Sequence, residues 1–184
     1  MNRNSALELL HQHVKNPKMI MHSIASELIM RRLAKHFGEN EDNWGLAGLL
    51  HDIDVEFTEG NPKTHGQEGI PILKEYGVND EVIEAISLHN EESAPKERHT
   101  RFHHALAAGE TISGLIFATA LVYPDKKISS VKVKSVTKRM KDKRFAASVK
   151  RENILECYKT EFELPQCVEL CLEALRDAEE IDLS

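Results

Sequence analysis

His51 and Asp52 stand side by side in the stretch LAGLLHDID, at the close of an apolar helical run. One backbone step thus offers an imidazole nitrogen and a carboxylate oxygen, a pairing suited to a divalent metal. Other residues share the theme of a polar side chain set in, or closing, an apolar helical face. His22 falls among Met21, Ala25, Ile29 and Leu33; His65 lies in THGQEGI; His89 ends EVIEAISLH; Glu110 interrupts LAAGETISGLIFA. A lone histidine on such a face is more often a hydrogen-bonded core residue than a ligand. A mid-helix carboxylate, however, is costly to bury unless it is paired or metal-bound. None of the spacings is a local zinc motif such as two histidines one turn apart. These residues meet only if a helical bundle gathers them at its core, where bundles build their metal sites.

The elements that must do this read almost entirely as helix. A short first helix is expected over 5–14 with Asn4 or Ser5 as cap, and a second over 18–37, after Pro17 and ending at Gly38. Asp42 or Asn43 is the expected cap of the helix carrying Trp44, Ala47, Leu50 and the His-Asp pair. After a polar loop over 56–63, helices are expected over 64–76 and 80–90, split by Gly77. A long helix over 102–122, a basic segment and an amphipathic helix over 165–181 complete the chain. Alternation in ISSVKVKSV allows a short strand, but its lysine spacing suits a helix equally. The reading is an all-α helical bundle forming a single domain, with a metal-binding core over 1–125 and a basic segment and C-terminal helix over 126–184 packed on it.

With 184 residues, 41% of them hydrophobic and 29% charged, the chain can bury one sizeable core and is not disordered by composition. Three cysteines, an odd number without a paired framework, fit a reducing compartment. Cys157, Cys167 and Cys171 are expected as small core residues. The N-terminal stretch lacks a signal-peptide pattern, and the nearly apolar run 112–123 is too short to span a bilayer. A soluble cytoplasmic protein with no membrane partner is expected. The net charge of −6 conceals an asymmetry: 126–151 holds eleven Lys and Arg against the single acid Asp142. Lys134, Lys138 and Lys141, at helical spacing, are the candidates for receiving a substrate phosphate. Nucleic acid is disfavoured as a partner by the acidic body and the lack of interleaved aromatics. Sequence does not specify the oligomeric state.

The ordered set of His22, His51-Asp52 and a later carboxylate resembles the HD-domain superfamily of metal-dependent phosphohydrolases. LAGLLHDID, HGQEGIPIL, ISLHN, ETISGLI and the tail KVKSVTKRMKDKRFA together resemble a bacterial and archaeal subgroup of predicted HD-superfamily hydrolases related to the His-Asp-Ile-Gly branch. The resemblance implies a five-helix core with a first metal held by His22, His51, Asp52 and the final carboxylate. In two-metal members, histidines at the places of His65 and His89 hold a second ion, and Asp52 bridges the two. Two departures stand out. The final carboxylate is Glu110 where Asp is usual, a difference of about 1.5 Å in reach. Where some branches have a lysine after the His-Asp-Ile-Gly stretch, this chain has Asp54 and Val55.

The expected cofactor is one or two divalent ions among Mn, Fe, Co, Ni, Zn and Mg, since mixed imidazole and carboxylate sets suit transition metals over Ca. Such an ion lowers the pKa of a coordinated water and makes it a nucleophile for phosphorus. Asp52 is the catalytic centre of this reading, and Asp54 or His89 could accept a proton from the water. The expected function is metal-dependent phosphohydrolysis, as a phosphomonoesterase or phosphodiesterase, of a small phosphorylated compound such as a nucleotide. The alternatives are a non-catalytic, metal-stabilised regulatory module and a di-iron oxygenase of the same superfamily.

Overall fold

The computed structural model describes residues 1–181 and 183, and all regular structure among them is helical. The chain runs through α1 (Arg3–His13), α2 (Pro17–Phe37), α3 (Glu41–Leu50), α4 (Ile70–Glu75), α5 (Asp80–Ser87) and α6 (Arg101–Leu121). It continues with α7 (Val133–Met140), α8 (Arg151–Ile154) and α9 (Leu164–Leu175). Short 3-10 turns at Ile128–Ser130 and Leu155–Thr160 join the later helices. The all-α expectation holds, and ISSVKVKSV forms a 3-10 turn and a helix rather than a strand.

Side-chain oxygens cap the starts of five of the helices among the described residues by the bonds that follow. Asn2, Asn16, Asn40 and Asn79 each accept a backbone N–H from the first turn of α1, α2, α3 and α5, and Thr100 does so for α6. Asn2 and Asn40 lie upstream of the expected caps. Several polar residues precede each helix, and only the chain's entry direction selects among them. The C-terminal helix stops at Leu175, short of the expected 181.

Two packing features position the site. The first is the close crossing of α2 and α3 at Gly48. A Cβ on Gly48 would lie 2.5 Å from the Ser26 carbonyl oxygen and 2.7 Å from its carbon, so the two backbones meet only because no side chain intervenes. The second is α6, which is long and apolar enough to cross a membrane, though 67% of that stretch is buried inside the fold. It serves as the central core helix: Leu106, Ile112, Leu115 and Ile116 are wholly buried and Gly109 sits against Ile29, Met30 and Leu33 of α2. Both α2 and α6 also contact α9, so the C-terminal helix caps the same core. Cys157, Cys167 and Cys171 are buried within it, as expected of small core residues.

Candidate metal centre

Six side chains from α2, the end of α3, the 51–69 turns, the end of α5 and α6 converge, five of them lining one pocket and His51 buried behind them. His22 Nε2 lies 3.1 Å from His51 Nε2 and 3.6 Å from Asp52 Oδ2. Across Asp52, the other oxygen, Oδ1, lies 3.3 Å from His51 Nε2, 3.0 Å from His65 Nε2 and 3.5 Å from His89 Nε2. Two ligand groups result, His22–His51–Asp52 and Asp52–His65–His89, each with donor atoms within 4.8 Å of one another. Asp52 belongs to both.

The hydrogen bonds behind the rings determine what they present in front. His51 Nδ1 faces the Gly48 carbonyl at 2.8 Å and His89 Nδ1 faces the Ile86 carbonyl at 2.7 Å. A carbonyl only accepts, so each Nδ1 donates, and in the neutral ring Nε2 is left as a lone pair. Ser113 donates its hydroxyl to the Glu110 carbonyl and therefore accepts from His22 Nδ1 at 2.9 Å. His65 Nδ1 donates to Asp54 Oδ1 at 2.7 Å. The rings thus turn Nε2 toward the Asp52 carboxylate and toward one another, with the His22–His51 and His65–His89 nitrogens 3.1 Å apart. This donor set fits a divalent metal.

The electrostatics agree. Burial holds the pKa of His51 down to about 3, keeping its ring neutral, and burial likewise lowers His22. For Asp52 burial favours the neutral acid, but His51, His65 and His89 outweigh it and hold the carboxyl well below its ordinary range. Burial opposes charge on His65 as well, yet its bonds to Asp52 and Asp54 raise it to about 10. Protein groups alone therefore place a proton on His65 where a metal would otherwise supply the positive charge; the two compete. Glu110 Oε2 lies 3.9 Å from His22 Nε2, beside the first group rather than within it. Burial and the Asp52 charge, against a bond from Thr111, raise Glu110 to about 8.

Asp54 departs from its expected role as proton acceptor. The side chain is fully buried, and besides His65 it accepts the backbone N–H of Gly66 at 2.8 Å and of Gly69 at 3.0 Å. It does not line the pocket. Asp54 instead orients His65, the carboxylate–histidine arrangement common behind metal ligands. The same bonds explain why the expected helix over 64–76 begins only at Ile70: residues 64–69 wrap the carboxylate in turns. Gly66 takes a left-handed φ of +88° there, and a Cβ on it would lie 2.9 Å from the His89 ring. Asn90 ties this wrap down, its Nδ2 donating to the carbonyls of Pro62 at 2.7 Å and His65 at 3.0 Å. His89, with Nδ1 on a backbone carbonyl and Nε2 in the cluster, has the geometry to ligate a metal.

Asp54→Asn tests this arrangement. Turning the amide oxygen to the two glycine N–H groups aims its NH2 at His65 Nδ1, which must then accept, leaving the proton on Nε2. Metal affinity at the Asp52–His65–His89 group should fall on the order of 10- to 100-fold, with the His22 group retained. Calorimetric metal titration reads this as loss of one of two binding events; unchanged two-site binding would refute the role.

The pocket above the cluster has a volume of about 280 Å³. Asn90, Glu91, Thr111, Ser148, Lys150 and Asn153 are among its walls. Lys134, Lys138 and Lys141 are exposed, and none of them lines it. Their helical spacing is real, since α7 carries Lys134 and Lys138 and Lys141 caps it, but it specifies a face without saying what that face looks on. Ser113 and Lys150 went unrecognised in the sequence. Ser113 could have been found from its place one turn beyond Glu110 on the same face; Lys150 carries no local signal.

An all-helical bundle whose core gathers histidines and a shared aspartate around one pocket is the architecture of a metal-binding helical domain. The chain belongs to the HD domain family, whose model matches residues 19–120. That span holds all six converging side chains. Among characterised proteins it is similar to Ribonuclease Y of the Aster yellows witches'-broom phytoplasma (strain AYWB), 33% identical over 78 residues, or 42% of this chain. It also resembles Ribonuclease Y of Nitratidesulfovibrio vulgaris (strain DP4), 30% identical over 96 residues, or 52% of this chain. These matches span only 15% and 18% of the relatives' own lengths. No solved structure matches the chain.

Proposed function

We propose that this protein is a metal-dependent phosphohydrolase acting on a small phosphorylated compound, with two divalent ions held by His22, His51, Asp52, His65 and His89. The observation that carries the reading is the pair of ligand groups sharing Asp52 at the floor of an open pocket. Bound there, the metal pair would supply a water nucleophile at neutral pH and a clamp for phosphoryl oxygens. Asp52 would serve both groups, with Oδ2 toward His22 and Oδ1 toward His51, His65 and His89. Glu110, at the pocket wall and with its pKa raised to about 8, closes the first group as an added ligand or holds the proton released by water. Ser113, Asp54 and the Gly48 and Ile86 carbonyls keep the four imidazoles in the ligating tautomer.

Two further observations support this substrate class. The relatives named ribonucleases point to a phosphoester as the bond broken. A volume of about 280 Å³ sits at the lower edge of small-molecule pockets, suiting a phosphoryl group with a modest substituent over a bulky chain. The expected result is hydrolysis of one or a few phosphomonoesters or phosphodiesters in a screen repeated with Mn, Co, Ni, Fe, Zn and Mg, and none in chelator. Tight nucleotide binding without turnover in any of these metals would favour the regulatory module instead. Oxygen consumption specific to iron would favour the oxygenase.

A further inference from the structure

The pocket is completed by a segment outside the residues matched to the family. Ser148, Val149, Lys150 and Asn153 form one wall, while the family match ends at residue 120. This wall is shaped by Arg151, which is 6% exposed. Its guanidinium donates to the carbonyls of Ala146 at 2.6 Å, Val149 at 2.7 Å and Asp142 at 3.3 Å, and to that of Phe145. Four carbonyls turned onto one buried cation mould the 142–149 loop and hold the next residue back, Lys150, at the pocket rim. The loop also abuts α6 one turn from Glu110: a Cβ on Gly114 would lie 3.5 Å from Val149 Cγ2.

Among the described residues, Lys150 is the one Lys or Arg lining this pocket. Its ammonium reaches Glu91 Oε1 at 2.7 Å and Glu92 Oε1 at 3.1 Å. The other Glu91 oxygen is held by Asn153 Nδ2 and Arg98, each at 3.3 Å. The contacts on both Glu91 oxygens position that carboxylate, and it in turn places the ammonium. Lys150 is 45% exposed at the side chain, so its ion pairs are solvent-screened and weak. An incoming phosphate dianion therefore competes well for the same ammonium, through charge-assisted bonds.

Resting on the phosphohydrolase reading, we propose that Lys150 is the substrate-recognition cation of this site, binding the phosphate or other anionic group that projects from the metal floor toward the rim. The role expected of the α7 lysines thus falls to a residue of the same basic stretch, delivered to the pocket by the Arg151-moulded loop. Specificity for substrate charge then lies in the chain's own C-terminal segment, while the metal ligands lie in the family segment.

The test is binding of inorganic phosphate to the Mn-loaded protein, followed by calorimetry, with bound metal measured on each sample. Lys150→Gln should keep its metal and weaken phosphate binding roughly 10-fold, whereas Lys150→Arg should remain within about threefold of the parent. With a substrate in hand, the Gln variant should raise KM more than it lowers kcat. Metal-loaded Lys150→Gln binding phosphate as tightly as the parent would overturn the assignment and leave the metal reading standing. A parent protein that binds metal but no phosphate would overturn both.

Discussion

Asp52→Ala is expected to abolish metal binding at both groups together and to reduce metal-dependent phosphoester hydrolysis on the order of 10³-fold. The reason is geometric. Asp52 Oδ2 is the oxygen nearer His22, and Oδ1 is the oxygen nearer His51, His65 and His89. Removing it takes away the one carboxylate common to both groups and leaves Glu110 beside the His22 group alone. His65→Ala makes the useful contrast, because it takes one ligand from one group only. It should cost one ion and leave the His22–His51–Asp52 set able to bind. Metal analysis after loading and desalting reads both variants, and far-UV circular dichroism shows whether the helices persist. An Asp52→Ala protein that keeps two ions would remove the shared ligand from the account.

Gly48→Ala should be the most damaging small substitution outside the ligands. Its new Cβ would press on the Ser26 carbonyl and on Glu27 N, 2.8 Å away, and backbone atoms of a packed helix cannot swing aside. Overpacking commonly costs about 1–3 kcal/mol, and a backbone clash belongs at the upper end. For a chain of this size, about 3 kcal/mol corresponds to a fall in Tm of roughly 6–12 °C. The functional consequence follows from the same contact. His22 rides on α2, His51 hydrogen-bonds the Gly48 carbonyl, and prising the helices apart separates the 3.1 Å pair. Metal affinity should drop with stability. Gly45→Ala is the control on the same helix: the three atoms nearest its Cβ all belong to the Arg31 side chain, the first 2.7 Å away, and a side chain can move at smaller cost than backbone. Equal losses of Tm in the two variants would contradict this view of the α2–α3 crossing.

Much of the site was visible in residue types alone. His22, His51, Asp52, His65, His89 and Glu110 stand out because each sets a polar group in, or at the end of, an apolar helical face, and the fold brings them together, five lining one pocket and His51 buried behind them. Long helices with strong periodicity, α2 and α6, lie within a residue of their expected spans. Misses occur where tertiary contacts overrule local pattern. Residues 64–69 carry helical character, yet Asp54 takes the N–H groups of Gly66 and Gly69 and holds them in turns. Asp54 itself looks like a solvated acid after a helix end, and only the wrap around it reveals a buried orienting group. Lys134, Lys138 and Lys141 share a helical pattern, whereas Lys150 reaches the pocket through a loop shaped by the next residue. No periodicity encodes that. Gly48 is one of nine glycines in the chain, and its special position is apparent only once Ser26 is seen across from it.

Low-temperature electron paramagnetic resonance of the Mn(II)-loaded protein tests the central claim most directly. Two ions held by the groups that share Asp52 would be close enough to give an exchange-coupled signal, which Asp52→Ala should abolish. A protein that takes up no Mn(II), or that binds it only as isolated, uncoupled ions unaffected by loss of Asp52, would contradict the two-metal account.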